Sequence, residues 1–214
     1  FRPNWAKFSS EKIIPIAKEL QKNGLLRAIT LSVQSLDETT LKIIKRENMK
    51  FKKFSELSSS FYENGIPTYS EIILGLPGET LESFKNGLQI MASDTKIDTI
   101  QIYHCGVLPN APMNDVSYLK EFNIKKIKSP LSSTHSKIEK NIIQEFEEII
   151  VGTLSFDINE LKEMYLYSWI IQTFHSLGIL EQICNFYQKQ NDFSILDFYD
   201  LFLDFCRTKT SIFS

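Results

Sequence analysis

Three cysteines, Cys105, Cys184 and Cys206, and three histidines, His104, His135 and His175, carry the metal-binding and nucleophilic chemistry open to this 214-residue sequence. Metal sites need such residues at short, repeated spacings, and no C-x-x-C or H-x-x-x-H pair occurs. His104 and Cys105 are adjacent, so on a strand they point to opposite faces. No G-x-S-x-G elbow is present to activate a serine. The run LGLPGET lacks the G-K-[ST] ending of a phosphate-cradling loop. No catalytic and no metal-ligating residue is therefore assigned. The cysteines have no disulfide-framework spacing, which points to a reducing, cytoplasmic setting.

What remains are polar residues at the ends of predicted strands. Gln34 and Ser35 close one of them. Glu71 lies inside an apolar strand, where a carboxylate is costly without a partner. Strand alternation puts Glu71 and Ile73 on one face and Ile72 and Leu74 on the other. Arg46 ends a helix, where the macrodipole favours a cation, and its planar guanidinium can grip a carboxylate with two hydrogen bonds. Taken singly, Glu71 reads as an ion-pair member and Arg46 as a helix-end cation.

The elements that must position these residues centre on the stretch PTYSEIILGLPGET. The β-formers of residues 69–74 stop at Gly75-Leu76-Pro77-Gly78. Leu81, Phe84, Leu88 and Met91 then mark one helical face. Upstream, a helix is predicted over residues 11–23, with Ile13, Ile16, Ala17 and Leu20 inward and Gly24 as its stop. A strand follows over 26–33, then a capping box from Ser35 to Glu38, with Leu41 and Ile44 inward on the helix it opens. The next helix carries Phe51, Phe54, Leu57 and Phe61 inward and ends at Gly65. A third strand covers 99–105. Strands alternating with helices predict an α/β fold with a parallel sheet.

Residues 105–136 hold three prolines and little periodicity, and read as an ordered excursion over the open end of the sheet. A strand is expected at 147–153, then Asp157 as an N-cap with Glu160 at the third helical position. The helix that follows is apolar nearly all round and is expected to be buried. Gly178 ends it, and two more helices, 179–188 and 193–206, complete a mainly helical C-terminal region packed as a small bundle. The division is 1–135 and 136–214. A net charge of −2 gives no pull toward nucleic acid or an anionic membrane, and no apolar run approaches the ~20 residues of a membrane span. The chain opens on Phe1, which reads as a start removed by processing or, the preferred reading, as an excised part of a longer protein.

VQSLDETTLKIIKREN followed by SEIILGLPGETLESF resembles the radical S-adenosylmethionine (SAM) enzymes. The likeness covers residues 11–109, and YHCGVLPNAPM is similar to that family's sixth strand and the loop after it. The loop reads Leu-Pro-Asn-Ala-Pro, a departure from the family's Leu-Pro-Gly-Thr-Pro. EEIIVGTLSFDINELKEMYLYSWIIQTFHSLGIL is similar to the tail of the subgroup with an N-terminal cobalamin-binding domain. The resemblance implies a partial parallel β/α barrel made of the C-terminal strands of the catalytic domain. It implies that Gln34, flanked by Ser35, contacts the ribose of SAM and that Arg46 meets the methionine carboxylate. Glu71 would accept from ribose hydroxyls, Ile73 would pack on adenine, and Gly106 with the backbone of Val107 would bond it. Gly75 would shape the turn beside them.

The family's C-x-x-x-C-x-x-C loop, which holds a 4Fe-4S cluster, has no counterpart here. The expected whole enzyme therefore has its cluster ligands, and any cobalamin domain, outside this chain. The chain's first partner would be the missing N-terminal part of the same enzyme, and alone it would be inactive. The whole would cleave SAM reductively, for radical chemistry or for cobalamin-dependent methyl transfer to a small-molecule or peptide substrate. Two alternatives stay open. One is a non-catalytic remnant serving as a binding module, its cofactor face filled by side chains. The other is an unrelated β/α-barrel enzyme with a phosphate site at the GLPG turn.

Overall fold

A computed structural model describes residues 13–131, 143–190 and 193–208. The expectations for His135 and for the division at residue 135 lie outside these residues. Helix α1 (Ile13–Lys22) leads to strand β1 (Ile29–Thr30), helix α2 (Glu38–Ile43), helix α3 (Phe51–Glu63) and strand β2 (Thr68–Leu74). Helix α4 (Leu81–Ser93) and strand β3 (Thr99–His104) follow. The three strands form one parallel sheet in the order β1-β2-β3, as the alternating pattern predicts.

The strand expected over 26–33 is mostly open chain. Only Ile29 and Thr30 join the ladder, and contact with β2 resumes at an isolated bridge between Gln34 and Ile72. Leu31, Val33, Ile72, Leu74 and Ile100 are buried with Phe61, Phe84, Leu88 and Met91, so the core lies between the sheet and α3 and α4. Two inward assignments fail: Ile16 and Phe51 are exposed. Ile16 lies off the face on which Ile13, Ala17 and Leu20 pack against the core, and Phe51 lies over Phe54 at the surface.

The excursion after β3 is more regular than its composition suggests. A 3-10 turn (Pro112–Asn114) and helix α5 (Val116–Glu121) lead into strand β4 (Lys125–Pro130), which pairs antiparallel with β5 (Phe146–Gly152). Lys126 Nζ anchors this hairpin on Glu148 Oε2 at 2.5 Å and on Asn114 Oδ1 at 2.6 Å. β5 also runs beside the end of β3: Val107 N–H donates to Glu148 C=O at 2.7 Å, and Ile150 N–H to Cys105 C=O at 3.1 Å.

Asp157 caps helix α6 (Ile158–Ile170) in a reciprocal capping box with Glu160. α6 continues into a π turn (Ile171–His175), and helices α7 (Glu181–Gln190) and α8 (Ile195–Thr208) complete the tail. No strand follows β5 among the described residues. α6 is not buried all round, since Tyr165 and Trp169 are exposed. The tail also does more than bundle with itself. α6 and α8 pack on α4, and the π turn packs on β3. Lys85 of α4 donates to Tyr167 of α6 at 2.9 Å and pairs with Asp200 of α8 at 3.3 Å, while the Tyr167 hydroxyl donates to Asp200.

Candidate functional site

A cleft of about 480 Å³ opens beyond the carboxyl ends of the parallel strands. Gln34, Arg46, Glu71, Ile73 and Gly106 line it together. They arrive by four routes. Glu71 and Ile73 share one face of β2, and the register sets Gln101 and Tyr103 of β3 beside them. Gln34 follows β1, and its N–H and C=O bond Glu71 C=O and Ile73 N–H at 2.9 and 2.8 Å.

Arg46 is placed by the end of α2. Lys45 N–H donates to Lys42 C=O at 3.2 Å and Arg46 N–H to Leu41 C=O at 2.9 Å, the two bonds of a Schellman stop. Lys45 takes the left-handed position there, with φ +53°, although glycine is the usual occupant. The reversal turns Arg46 back toward the sheet. Its Nε donates to Asn48 Oδ1 at 3.2 Å and its Nη2 to Ser32 C=O at 3.4 Å. Burial lowers the Arg46 pKa from its ordinary value, and the charge of Glu71 opposes that shift. Glu71 accepts from Ser32 Oγ at 2.6 Å through Oε2. That bond is part of the partner its half-buried carboxylate requires.

Three expected site residues do not line the cleft. Ser35 is buried, and its hydroxyl is taken up by Glu79 at 2.6 Å. Gly75, at φ +88°, lies under the tail, where an added Cβ would meet Leu161 at 3.5 Å. Val107 is buried and its N–H is bonded to β5. The capping box read from Ser35 also shifts. Asp37 is the N-cap of α2 and accepts from Thr40 N–H at 2.7 Å.

Sequence reasoning missed Tyr103, His104, Lys45 and Met113, which border the same cleft. Tyr103 was findable, because a parallel partner two residues from Glu71's neighbour must share its face. His104 stacks on Tyr165 at 5.4 Å; burial lowers its pKa and Glu147 opposes that. Cys105 is buried with Sγ 3.8 Å from Met113 Sδ. Its thiol is pushed up to about 12 by burial and by Glu79, so it is inert as a nucleophile.

At the GLPG turn, the amides of Gly78, Glu79 and Thr80 are engaged within the protein. Gly78 N–H donates to Ser155 Oγ at 3.1 Å, Glu79 N–H to Leu76 C=O at 3.2 Å, and Thr80 N–H to Ser83 Oγ at 2.9 Å. Those three amides are therefore not free to cradle an anion at the turn itself. Among the described residues no group of three or more His, Cys, Asp or Glu could hold a metal ion.

No family model matches the chain. It is 26% identical over 204 residues to the cobalamin-dependent radical SAM methyltransferase TokK of Streptomyces tokunonensis, covering 95% of this chain and 30% of that protein. The chain is a relative of the radical SAM enzymes. A second relative is the 2-(S-pantetheinyl)-carbapenam-3-carboxylate methyltransferase of Streptantibioticus cattleyicolor, 26% identical over 93% of this chain and 29% of that protein. Both relatives are enzymes, and this radical SAM relative spans about 30% of their length. Solved structures similar to it include the archaeal Methanocaldococcus infernus Elp3 with an N-terminal deletion, at TM-score 0.40 and 25% identity over 48% of this chain and 23% of that one. The Escherichia coli coproporphyrinogen III oxidase HemN, a radical SAM enzyme, matches at TM-score 0.40 and 21% identity over 54% of this chain and 29% of that one. No helix among the described residues is long and apolar enough to cross a membrane.

Proposed function

We propose that this chain is the C-terminal part of the catalytic domain of a radical SAM enzyme, and that its cleft holds the adenosyl and methionine parts of SAM. The observation that carries the reading is the meeting of Gln34, Arg46, Glu71, Ile73 and Gly106 around one open cleft at the strand ends. They come from four separate places in the chain, Glu71 and Ile73 sharing β2. The cleft is open, where a non-catalytic remnant would have filled it with side chains. Its donor set also suits the molecule: a cation for a carboxylate, an acceptor for ribose hydroxyls, an apolar wall and a bare glycine for a purine.

In this reading Arg46 grips the methionine carboxylate through guanidinium donors beyond those given to Asn48 and Ser32. Glu71, held by Ser32, accepts from the ribose with its remaining lone pairs. Gln34 contacts the ribose from the end of the neighbouring strand, and Ile73 excludes water from the purine face. Bound SAM supplies a methyl group or a carbon-centred radical. The chain's share is to orient it and keep the site dry.

The residues here do not fit an iron-sulfur cluster: Cys105 and Cys184 are buried and far apart in sequence, and no metal-ligating group gathers among the described residues. Its ligands, the first strands of a partial barrel and a cobalamin domain would lie in the remainder of the whole enzyme. That remainder is the proposed partner, methyl transfer the proposed outcome, and residues 1–135 and 136–214 the proposed division. Free cysteines suit a cytoplasmic setting. The test is calorimetric titration of SAM into the reconstituted whole enzyme and its Arg46→Ala variant. Loss of a charge-assisted contact should cost about 2–3 kcal/mol, a roughly thirty- to hundred-and-fifty-fold weakening. Equal affinities would remove Arg46 from the site.

A further inference from the structure

Gln34 holds a backbone shape that its side chain disfavours. Its φ is +62°, and Ser35 N–H donates to Val33 C=O at 2.8 Å, closing a three-residue turn around it. A γ-turn with a positive central φ is the strained form. Such a residue persists only where its surroundings over-determine it. Here they do so through Ser35, which is 1% exposed. Its carbonyl accepts from Asn48 Nδ2 at 2.8 Å. Its hydroxyl accepts from Asp37 N–H at 3.1 Å and donates to Glu79 Oε1 at 2.6 Å. Glu79 comes from the turn after β2, is 2% exposed, and has no hydrogen-bond partner at Oε2 among the described residues.

We propose that Glu79 is a positioning residue: its buried carboxyl holds Ser35, and through Ser35 the strained turn that presents Gln34 to the cleft. The rest of the scaffold is already accounted for. Glu79 does not line the cleft, and among the described residues its side chain bonds only that of Ser35, whose backbone N–H closes the Gln34 turn. A glutamate serving only to fill space there would be replaced at no loss by an apolar residue, since burying a carboxyl with one oxygen unpaired is costly.

The carboxyl is held neutral. Burial pushes it up to about 8, the Ser35 bond opposes the shift, and the charge of Asp37 adds to it. The other titratable group facing it is Cys105, after β3, itself pushed up by burial and by Glu79. Loss of the proton strands a charge at Oε2 beside Asp37, with no donor to receive it. Relief requires water or movement of the turn, so ionisation of Glu79 should be felt at Gln34.

The consequence for SAM rests on the reading of the cleft given above, but the test does not. It is an NMR titration of the ligand-free chain that follows the Glu79 side-chain carboxyl carbon and the backbone amides of Gln34 and Ser35. The carboxyl should titrate near pH 8, with both amides following it, and in Glu79→Gln, which keeps the shape without the charge, the amides should stay flat. In Glu79→Leu, hydrogen exchange at Ser35 should rise at least tenfold while Ile72 in β2 keeps its protection, and Glu79→Gln should restore most of that protection. An ordinary carboxylate midpoint near 4.5, or amides at Gln34 and Ser35 that ignore the titration and the Leu variant, would overturn the proposal. These readouts need no ligand, so failure of SAM to bind would count against the cleft and leave the positioning role standing.

Discussion

The outer edge of β3 is closed by side chains instead of a strand, and this makes a sharp prediction. Ile102 N–H donates to Gln172 Oε1 at 2.9 Å, and Ile100 N–H to Ser176 Oγ at 3.1 Å. Gln172 and Ser176 stand four residues apart on and just after the π turn, and they match two N–H groups two residues apart on the strand. The Gln172 amide is itself oriented, since its Nε2 donates to Ser168 C=O at 3.3 Å. Gln172→Leu keeps the volume and removes the acceptor. An unsatisfied buried N–H costs about 1–3 kcal/mol. Ile102 is half-buried, so the lower part of that range applies. Ile100 is 2% exposed, so Ser176→Ala should fall in the upper part. The double variant should lose about 3–4 kcal/mol if the two bonds are nearly independent, less if they share one opening. Urea denaturation would give the stabilities, and amide exchange at Ile100 and Ile102 would localise them. Gln172→Glu, which keeps the acceptor but loses the Nε2 donor to Ser168 C=O, should keep more of the Ile102 protection than Gln172→Leu without restoring full stability. A Gln172→Leu variant equal to wild type in both stability and Ile102 exchange would refute the edge-capping account. The double variant should also self-associate, because an uncovered strand edge is a pairing template.

Two further outcomes follow from packing. Gly78 has φ +92°, and an added Cβ would come within 2.4 Å of Ile43 Cδ1. Gly78→Ala should cost about 2 kcal/mol through the left-handed backbone alone, with Ile43 forced to shift; a thermal unfolding midpoint equal to wild type would contradict this. Tyr167→Phe removes the hydroxyl that accepts from Lys85 and donates to Asp200. It should destabilise by about 1 kcal/mol and loosen α6 and α8 from α4, seen as faster exchange in α8; if α8 exchange is unchanged, the three-way bond is not what fastens the tail.

Local spacing made much of the fold legible. The apolar positions of α4, the stop at Gly75 and Gly78, and the Asp157–Glu160 box are all decided within a few residues, and they stand as read. The failures lie where a distant residue overrides a local choice. Ser35 followed three residues on by Glu38 is a good capping signature. Its hydroxyl instead binds Glu79, 44 residues away, and the cap passes to Asp37. β4, with three lysines and one proline in six residues, has no strand signature of its own. It exists because β5 supplies a partner and Glu148 neutralises Lys126. The π turn is likewise invisible in the sequence, since its reason is the fit to the edge of β3.

The cleft shows the same division at the level of single residues. Strand alternation and parallel register suffice to bring Glu71, Ile73 and Tyr103 to one side, while Gly106, beyond the end of β3, is placed there only by the family resemblance. Nearness in sequence to that face misled for Ser35, Gly75 and Val107. Each adjoins a cleft residue along the chain, and each turns its side chain or backbone bond into the scaffold. Gln34 and Arg46 reach the cleft through left-handed backbone at residues 34 and 45, neither of them glycine. No propensity predicts a glutamine or a lysine there. The local cost, about 1–2 kcal/mol for an L-residue in that region, has to be offset by contacts from elsewhere. At Lys45 the two Schellman bonds and the docking of Arg46 supply them. At Gln34 the supply comes from Ser35, Asn48 and Glu79. The two strained residues flank α2, so the strain is concentrated in the segment that carries both polar ends of the cleft. Relaxing either turn would move one polar group away from the other, which ties the geometry of the site to the rigidity of this one short helix and its caps.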